Sequence, residues 1–347
     1  MRYGLIGDNP LEKAVIASGM LPSPMLDGYA MVNTKALVVA AKAGMFDALG
    51  QGPMNAASLA QRCGTDPRAT EKLLNLLTGM RYLRATREGT YRLSRNARRW
   101  LVGQHSVRDS VLMKELEWRW LDRLEEFVEG GEPLDVHGTM SREDWGLYQR
   151  GMRSNAGALA PLLARRVPVP EGARDMLDIG GSHGFFSVAI CRRHPNLRAT
   201  VLDLPQAVEH AAPLLAAEAM GDRVALRAGD ALADDLGSEA YDLVFMMSLV
   251  HHFDDATNRA LVKRAADALR PGGVLVIGDS IRLPPHETDA IGSFFDLYFA
   301  MTSRAGIWTY AEMANWQREA GLVARKPIRM PLSKGIGLQA GDKPAAE

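Results

Sequence analysis

Residues 174–205, RDMLDIGGSHGFFSVAICRRHPNLRATVLDLP, form the stretch of sequence that decides the fold. An apolar run ending at Ile179 predicts a strand, the glycine-rich run 180–184 predicts a turn, and the periodicity of 185–192 predicts a helix. The apolar run 197–202 predicts a second strand. A strand, a helix and a parallel strand within about 30 residues make a βαβ unit, which predicts a nucleotide-binding sheet.

The glycine-rich run does not fit the dinucleotide pattern G-x-G-x-x-G, because the third glycine would fall on Phe185 or Phe186. No lysine follows it, which excludes a phosphate-cradling P-loop. The pattern is D-x-G-G-x-x-G, and it suits a ligand without phosphates. Glycines let the backbone approach closely, Asp178 can sit near a cationic group, and Asp203 can accept hydrogen bonds from two ribose hydroxyls. S-adenosylmethionine (SAM) has a cationic sulfonium, an ammonium group and a ribose with two hydroxyls, and it has no phosphate.

This segment, with Gly229-Asp230 and Gly272-Gly273 further along the chain, resembles the class I SAM-dependent methyltransferases. More narrowly, residues from about 25 to about 340 are similar to small-molecule O-methyltransferases with an N-terminal winged-helix dimerisation domain. These include the plant caffeic-acid type and the bacterial polyketide-tailoring type. The resemblance implies an α/β Rossmann-like doubly wound sheet, SAM as methyl donor, S-adenosylhomocysteine as product, and no metal. Another doubly wound sheet with a different nucleotide is the alternative.

Composition excludes several other classes of protein. The chain has 41 basic and 41 acidic residues, so no general attraction to nucleic acid or membranes is expected. Cys63 and Cys191 are too few for a disulfide framework or a zinc site. No run of about 18 apolar residues predicts a membrane span, and Asp8, Glu12 and Lys13 are unlike a signal peptide. The sequence predicts a soluble, cytoplasmic protein.

Three parts of the chain are expected from the resemblance. Residues 1–102 are the mostly α winged-helix dimerisation domain, residues 103–166 are connecting helices that contribute to an acceptor pocket, and residues 167–347 are the SAM-binding domain. An apolar helix is predicted over Leu26–Leu49, and its wide apolar face should be buried on more than one side. The implied assembly is a homodimer.

The winged helix raises a second function class, a ligand-sensing DNA-binding regulator. Asn55 and Asp66 can cap two helices, and two short strands follow. Ten basic residues lie between Arg62 and Arg99, which favours contact with nucleic acid. The outer face of the second helix mixes basic, acidic and neutral residues, and its apolar stripe is wider than one small core needs. These two features favour dimerisation.

The cofactor site implied by the resemblance follows the ends of the predicted strands. In the family an acid after the third strand meets the adenine edge, and Asp230 stands at this position. The following residue, Ala231, is smaller than the hydrophobe that usually packs on adenine. The expected cofactor-binding residues are Asp178, Gly180, Gly181, Gly184, Asp203, Leu204, Gly229, Asp230, Ala231 and Met247.

His251 and His252 follow the predicted strand 241–247, at the sheet edge where ligands of such folds bind. The family's general base stands first in a His-Asp-Trp-type motif, which implies His251. Asp279 stands where plant members have the first of two flanking glutamates, and the second position, near Ile307, has no acid. A histidine suits proton transfer because its ordinary pKa is ~6.5. A role for His251 in shaping the pocket stays open.

The acceptor is expected to be a small molecule in an aromatic pocket. Such a pocket suits a phenol or another polycyclic hydroxyl compound of secondary metabolism. Methylation of sulfur, nitrogen or carbon, or another SAM-dependent reaction, could proceed by positioning alone and stays an alternative. His183 is interpreted as a spacer of the glycine loop, and His137 is given no role. The expected pocket residues are Trp145, Tyr148, Met152, His252, Phe295, Tyr298 and Phe299.

Overall fold

The computed structural model describes residues 9–20, 24, 27–103, 106–287, 290–303, 305–330 and 333–345. They belong to two compact units, one within Tyr3–Glu117 and the other within Trp118–Glu347. None of the described helices is long and apolar enough to cross a membrane.

The unit within Tyr3–Glu117 is mostly helical and contains one small antiparallel sheet. Its elements are α1 (Pro10–Ala17), α2 (Tyr29–Lys42), α3 (Met45–Gln51), β1 (Met54–Asn55), α4 (Ala56–Cys63), α5 (Pro67–Gly79), β2 (Leu83–Ala85), β3 (Thr90–Leu93), α6 (Arg95–Leu101) and the first part of α7 (Arg108–Leu121). The strand order is β1-β3-β2. Two helices followed by a strand pair agree with the expected winged helix.

The helix starts in this unit agree with the sequence signals. The Asn55 side chain accepts a hydrogen bond from the backbone N–H of Ser58 at 2.8 Å, and α4 begins there. Asp66 does the same for Ala69 at 2.7 Å, with a proline at the first position of α5. Each cap satisfies an N–H group that has no partner within its helix.

The single helix predicted over Leu26–Leu49 is wrong, because the chain forms α2 and α3 instead. Gly44 separates them with φ +74°, a left-handed conformation that glycine adopts at little cost. Apolar periodicity continues across the break because both helices pack on one core, which includes Ala40 and Phe46. Leu26 lies outside the described residues.

The unit within Trp118–Glu347 is built on one large sheet. Its elements after α7 are α8 (Leu124–Gly130), α9 (Val136–Thr139), α10 (Arg142–Leu163), β4 (Asp175–Ile179), α11 (Phe185–Arg193), β5 (Arg198–Asp203), α12 (Pro205–Ala216), β6 (Val224–Ala228), β7 (Tyr241–Met247), α13 (Asp255–Ala268), β8 (Leu269–Ser280), α14 (Ala290–Thr302), α15 (Tyr310–Glu319), β9 (Val323–Ala324), β10 (Ile328–Met330) and β11 (Ser333–Asp342).

The sheet follows the doubly wound order β10-β11-β8-β7-β4-β5-β6. Strands β4 to β8 are parallel, whereas β11 runs antiparallel to β8. Because β4 lies between β5 and β7, the chain direction across the sheet reverses there, and ligands of such sheets bind outside the carboxyl ends of the strands at this point. The expected Rossmann-like fold is therefore confirmed.

Alternate residues of β4 bury their side chains in two different cores. Met176 packs in the cluster that holds Ile190 of α11, and Leu177 packs in the cluster that holds Leu261 of α13. This alternation follows from the pleat of a strand, and helices on both faces bury it on each side. The acid at position 178 thus lies in a strand that is buried from both faces.

Residues 270–273 belong to β8, where they form an irregularity between the pairings of Leu269 with Tyr241 and of Val274 with Leu243. Gly272 takes φ +80°, and its N–H donates to the carbonyl of Lys343 at 3.0 Å. The N–H of Lys343 donates in turn to the carbonyl of Gly273 at 2.9 Å. A backbone partner about seventy residues away extends the strand, and no local signal reveals it.

Candidate active site

The glycine loop between β4 and α11 allows two close approaches. A Cβ atom on Gly180 would lie 2.7 Å from Leu249 Cδ1, and one on Gly181 would lie 2.6 Å from the carboxyl carbon of Asp178. Both distances are shorter than real Cβ contacts. Leu249, which covers the loop from the turn after β7, was not among the sequence candidates. Gly184 takes φ +72° and directly precedes α11.

Asp178 is fully buried at the end of β4. Its Oδ2 accepts a hydrogen bond from the Ser187 hydroxyl at 2.6 Å, while its Oδ1 has no partner among the described residues. Burial raises the pKa of this carboxyl to about 7, the hydrogen bond from Ser187 opposes the rise, and the charge of Asp203 adds to it. A buried oxygen without a donor is costly, so it suits a cationic or hydrogen-bonding ligand group.

Asp203 is half-buried at the end of β5. One carboxyl oxygen accepts the N–H of Ser182, and the other accepts the N–H of Leu204, both at 2.7 Å. Burial raises the pKa of Asp203 above its ordinary value, and the hydrogen bonds from the two backbone N–H groups partly oppose this rise. Each oxygen keeps capacity for a second hydrogen bond, so the pair can accept from two adjacent hydroxyls.

The loop after β6 brings Gly229-Asp230 next to Asp203, because the N–H of Gly229 donates to the Asp203 carbonyl at 2.9 Å. Asp230 is exposed, and its Oδ1 accepts the N–H of Leu232 at 2.8 Å. Ala231 is half-buried, but Leu232 is 41% exposed. Leu232 is therefore a hydrophobe beside Asp230 that the sequence interpretation overlooked.

A short 3₁₀ turn, Val250–His252, follows β7 and carries both candidate histidines. The carbonyl of Val250 accepts hydrogen bonds from Asn258 Nδ2 at 2.9 Å and from Trp308 Nε1 at 3.0 Å. These bonds fix the turn against α13 and the segment before α15. Met247, the last residue of β7, is buried, and a Cβ on Gly278 would lie 2.6 Å from its sulfur.

His251 and Asp279 form a buried pair, with 2% and 1% of their surfaces exposed. Nδ1 of His251 lies 2.9 and 3.0 Å from the two carboxyl oxygens of Asp279, and the N–H of Ser280 donates to one of these oxygens. The ring of Phe299 stacks on His251 with centroids 3.7 Å apart and an interplanar angle of 20°. The ring is thus held from its edge by Asp279 and on its face by Phe299.

Two further histidines surround His251. The ring of His252 lies 4.1 Å from that of His251, and its Nδ1 is 2.9 Å from the Ser303 hydroxyl. The ring of His137 lies 4.9 Å from that of His252. Burial and then the electrostatic effect of His251 lower both pKa values, that of His137 to about 4 and that of His252 well below its usual range.

No role was expected for His137 from the sequence. Its position beside His252 corrects this expectation. His137 belongs to α9, a helix of four residues, more than a hundred positions before the His251 turn. Neither the periodicity nor the spacing of the sequence could have found it. Among the residues that the structure describes, no three His, Cys, Asp or Glu side chains are grouped so as to hold a metal ion.

Aromatic side chains from α7, α10 and α14 line this region. His137 lies 5.5 Å from the rings of Trp145 and Tyr148, and Trp120 lies 6.4 Å from Tyr148 and 6.5 Å from Tyr298. Trp120 is not among the pocket residues expected from the sequence. Tyr298 and Phe295 each lie 5.5 Å from Phe299, and Met152 lies one helical turn beyond Tyr148 on α10. The predicted pocket residues other than Met152 are thus connected through aromatic contacts to His251.

Helix α10 also contacts the glycine loop. Gln149, 1% exposed, accepts a hydrogen bond at its Oε1 from the Ser182 hydroxyl at 2.7 Å. Arg153 pairs with Glu218 and lies 3.5 Å above the Phe185 ring. Neither Gln149 nor Arg153 was a sequence candidate. One helix therefore reaches both the loop and the aromatic cluster.

His183, predicted to be a spacer, has a defined structural role in the loop. Its Nδ1 accepts the N–H of Phe185 at 3.0 Å, which satisfies a donor in the first turn of α11. Burial, and then the charge of Arg153, lowers its pKa to about 3. The uncharged ring can therefore serve as a hydrogen-bond acceptor at neutral pH.

Comparison with protein families identifies both parts of the chain. Residues 130–322 match the model of the O-methyltransferase domain. Residues 25–103 match the model of the O-methyltransferase dimerisation domain. The first match covers the parallel strands β4 to β8 of the large sheet and the candidate histidines, and the second covers the winged helix.

Among characterised proteins, the chain is 29% identical over 327 residues to the 3-hydroxy-5-methyl-1-naphthoate 3-O-methyltransferase of Streptomyces sahachiroi, covering 90% of this chain and 92% of that one. It is 27% identical over 307 residues to the tetracenomycin polyketide synthesis 8-O-methyl transferase of Streptomyces glaucescens, covering 84% and 88%. The solved structure of human N-acetylserotonin methyltransferase in complex with SAM aligns with a TM-score of 0.82 at 19% identity, covering 93% and 97%. This structural likeness supports the fold.

Proposed function

Because the chain belongs to the O-methyltransferase family, we propose that it methylates a phenolic hydroxyl of an aromatic, polyketide-like metabolite, with His251 as general base. The chain is a SAM-dependent methyltransferase. Its family membership gives no support to a dedicated DNA-binding regulator. The proposal that His251 is the base for an aromatic hydroxyl rests on one observation. The buried His251–Asp279 pair faces an aromatic cluster at the carboxyl edge of the sheet.

The residues around the glycine loop fit SAM, which supplies an electrophilic methyl group when bound. The unpartnered oxygen of Asp178 would face a cationic group, and Asp203 would accept the ribose hydroxyls. Asp230 would meet the adenine edge. The glycines at 180, 181 and 229 leave no room for a Cβ atom, and Gly184 takes a positive φ. Leu204, Ala231, Leu232 and Met247 would supply apolar contacts.

The proposed base is arranged as general-base catalysis requires. Asp279 holds a proton on Nδ1 of His251, so the lone pair of Nε2 is left to accept the proton of the acceptor's hydroxyl. The same carboxylate stabilises the imidazolium that forms. Stacking on Phe299 limits rotation of the ring, which keeps Nε2 in one direction.

His252 and His137 would contact the acceptor as uncharged hydrogen-bonding groups. Their lowered pKa values keep both rings neutral at pH 7, so only His251 gains a proton in the reaction. A neutral imidazole can donate one hydrogen bond and accept another. These two rings therefore suit polar substituents of an aromatic acceptor.

An aromatic acceptor is supported by the side chains around the histidines and by the relatives. Trp120, Trp145, Tyr148 and Tyr298 offer ring faces and edges to a planar molecule. Two relatives are named for O-methylation of a hydroxynaphthoate and of a tetracenomycin polyketide. Methylation of sulfur, nitrogen or carbon would use the same cofactor but would not need His251.

The acceptor class is tested by incubating the protein with SAM and a set of hydroxynaphthoates, hydroxyanthraquinones and matched thiols and amines. We expect a product that carries one additional methyl group, with NMR locating it on a phenolic oxygen. O-methylation of no phenol, together with methylation of a thiol or an amine, would contradict the proposed acceptor. The matching O-methyl ethers serve as controls because they lack the accepting hydroxyl.

Replacing Asp203 with alanine is expected to weaken SAM binding at least tenfold, measured by calorimetry. A hydrogen bond to a charged group contributes about 1.5–3 kcal/mol, which corresponds to a factor of ten or more in affinity. Asp222→Ala is a suitable control because Asp222 is an exposed acid in the turn before β6. Equal affinities of Asp203→Ala and the control would remove Asp203 from the proposed site.

We propose a homodimer formed through residues 1–102, with residues 103–166 contributing to the acceptor pocket and residues 167–347 forming the SAM domain. Helix α2 supports this proposal because Tyr29, Met31, Val32 and Val39 are exposed on it. Apolar residues in such numbers on one helix suggest a covered interface. Residues 25–103 match a dimerisation domain, which also supports the assembly.

Sedimentation is expected to give a dimer for the wild type and a monomer for Val39→Asp, because burying an unpaired carboxylate in the interface is costly. Val323→Asp is the matched control, since Val323 is 61% exposed in the other unit. A wild-type monomer at micromolar concentration would exclude the proposed assembly. Salt-sensitive DNA binding by the full chain would instead revive a nucleic-acid role for its basic winged helix.

A further inference from the structure

Within the described residues, the side-chain amide of Gln149 makes a hydrogen bond through its oxygen but not through its nitrogen. Its Oε1 accepts the Ser182 hydroxyl at 2.7 Å. Its Nε2, by contrast, makes no hydrogen bond to any residue that the structure describes, although only 1% of the residue's surface is exposed. Nε2 is not among the fully buried atoms that lack a partner, so the small exposed part of Gln149 includes this nitrogen, and a bound group can reach it.

The free amide stands beside the proposed cofactor loop. Ser182, which donates its hydroxyl to Gln149, donates its backbone N–H to Asp203. Ser182 takes φ +51°, so the loop is bent at the residue that holds Gln149. A group of a ligand bound in this loop can therefore be the acceptor for Nε2.

The charges around the loop indicate which ligand group this is. Asp178 and Asp203 are acids and suit the cationic and hydroxyl groups of SAM, but they repel an anion. The α-carboxylate of the methionyl part is the only anionic group of SAM, and it needs N–H donors. Arg153, one turn further along α10, is already paired with Glu218 and stacked on Phe185. Gln149 offers a neutral donor that makes no hydrogen bond within the part of the chain that the structure describes.

We infer that Gln149 is a further cofactor-binding residue, whose amide nitrogen donates a hydrogen bond to the α-carboxylate of SAM. This inference rests on the proposed binding of SAM in the glycine loop. The amide oxygen holds the loop through Ser182, so one side chain fixes both the loop and the ligand. Because Trp145 and Tyr148 lie on the same helix, the bound cofactor also holds the helix that faces the acceptor.

Calorimetry with two ligands tests the inference without measuring turnover. S-adenosylhomocysteine has the α-carboxylate, and 5′-methylthioadenosine lacks the whole amino-acid part. Gln149→Met, which keeps the length of the side chain, is expected to weaken binding of S-adenosylhomocysteine about five- to tenfold and to change binding of methylthioadenosine less than twofold. Gln149→Glu should weaken S-adenosylhomocysteine further, because two carboxylates repel each other.

Ser182→Gly is the matched control. It removes the hydroxyl that contacts Gln149, and glycine adopts the positive φ of this position readily. Since it leaves the amide nitrogen in place, it should affect the two ligands by similar factors. Thermal unfolding of each variant shows whether the fold is kept.

Equal losses for both ligands in Gln149→Met, or no loss for either, would overturn the inference, because Gln149 would then act through the loop or not at all. Failure of the wild type to bind either ligand would instead contradict the proposed SAM site. Wild-type binding of both ligands with a loss confined to S-adenosylhomocysteine is the supporting result.

Discussion

His251→Ala is expected to lower turnover by about 10²–10⁴-fold while the affinity for SAM hardly changes. The variant removes the nitrogen that would accept the proton of the acceptor's hydroxyl, and it leaves the glycine loop intact. Single-turnover rates and calorimetric SAM affinities measured on the same preparation separate the two effects. An equal loss of rate and SAM affinity would indicate general disruption of the site.

Two neighbouring variants distinguish the base from residues that support it. Asp279→Asn should lower turnover less than His251→Ala, because the amide loses the charge that stabilises the imidazolium but can keep a hydrogen bond to Nδ1. His252→Ala should have the smallest effect, since its Nδ1 is bonded to Ser303 and its ring stays neutral. A larger loss for His252→Ala than for His251→Ala would reverse the assignment.

The pH dependence of turnover provides an independent test of the same base. At saturating SAM, turnover should fall as the pH is lowered, because a protonated base cannot accept a proton. Burial and the charge of His251 hold the pKa of His252 well below its usual range, so protonation of His252 does not account for a loss near neutral pH. A decrease of less than about tenfold for His251→Ala, with a flat pH profile, would leave positioning as the mechanism. It would also favour a sulfur or an already ionised acceptor.

The parts of the candidate site that lie at the ends of neighbouring strands could be predicted from the sequence as neighbours in space. Asp178, the loop 180–184 and Asp203 are fixed by one βαβ unit, whose signals all lie within about 30 residues. The same holds for His251, which directly follows the buried strand β7. Local apolar runs and glycines sufficed here because parallel strands bring their carboxyl ends to one edge.

Side chains supplied by distant helices could not be predicted in the same way. His137, Trp120 and Gln149 lie on helices that precede the sheet in the chain, and their spacing is that of ordinary core residues. Their contacts with His252, Tyr298 and Ser182 depend on how α7, α9 and α10 pack on the folded sheet. Tertiary packing, rather than local pattern, selects these residues.

The affinity for SAM is expected to rise about twentyfold between pH 5.5 and pH 7.5, because the cofactor should bind the ionised form of Asp178. Burial raises the pKa of this carboxyl to about 7 in the unliganded protein. Below that pH, binding must release the proton and therefore weakens tenfold per pH unit, whereas above it the affinity levels off. The ligand's α-amino group, with a pKa of about 7.7–8.0, stays largely protonated over this range.

The same raised pKa has an opposite effect on the stability of the unliganded protein. The fold binds this proton more tightly than the unfolded chain does, so stability falls as the pH rises from about 4 towards about 7. Saturation with SAM should offset this loss, because the bound cation favours the ionised carboxylate. Melting temperatures with and without SAM should therefore diverge as the pH increases through this window.

Variants at two positions identify Asp178 as the titrating group. Asp178→Asn keeps the size of the side chain but cannot ionise, so SAM binding should weaken at pH 7.5 and lose its pH dependence. Ser187→Ala should shift the midpoint to higher pH, because the Ser187 hydroxyl donates to Asp178 Oδ2 and favours the charged form. Persistence of the full pH dependence in Asp178→Asn would assign it to another group.

Comparison of SAM with S-adenosylhomocysteine then shows which cation Asp178 meets. S-adenosylhomocysteine keeps the ammonium but has a neutral sulfur. If Asp178 faces the sulfonium, the preference for SAM should grow with pH and disappear in Asp178→Asn. If it faces the ammonium, both ligands should show the same pH dependence. A pH-independent affinity for both ligands in the wild type would contradict either arrangement, and the unpartnered Oδ1 of Asp178 would then require a neutral donor.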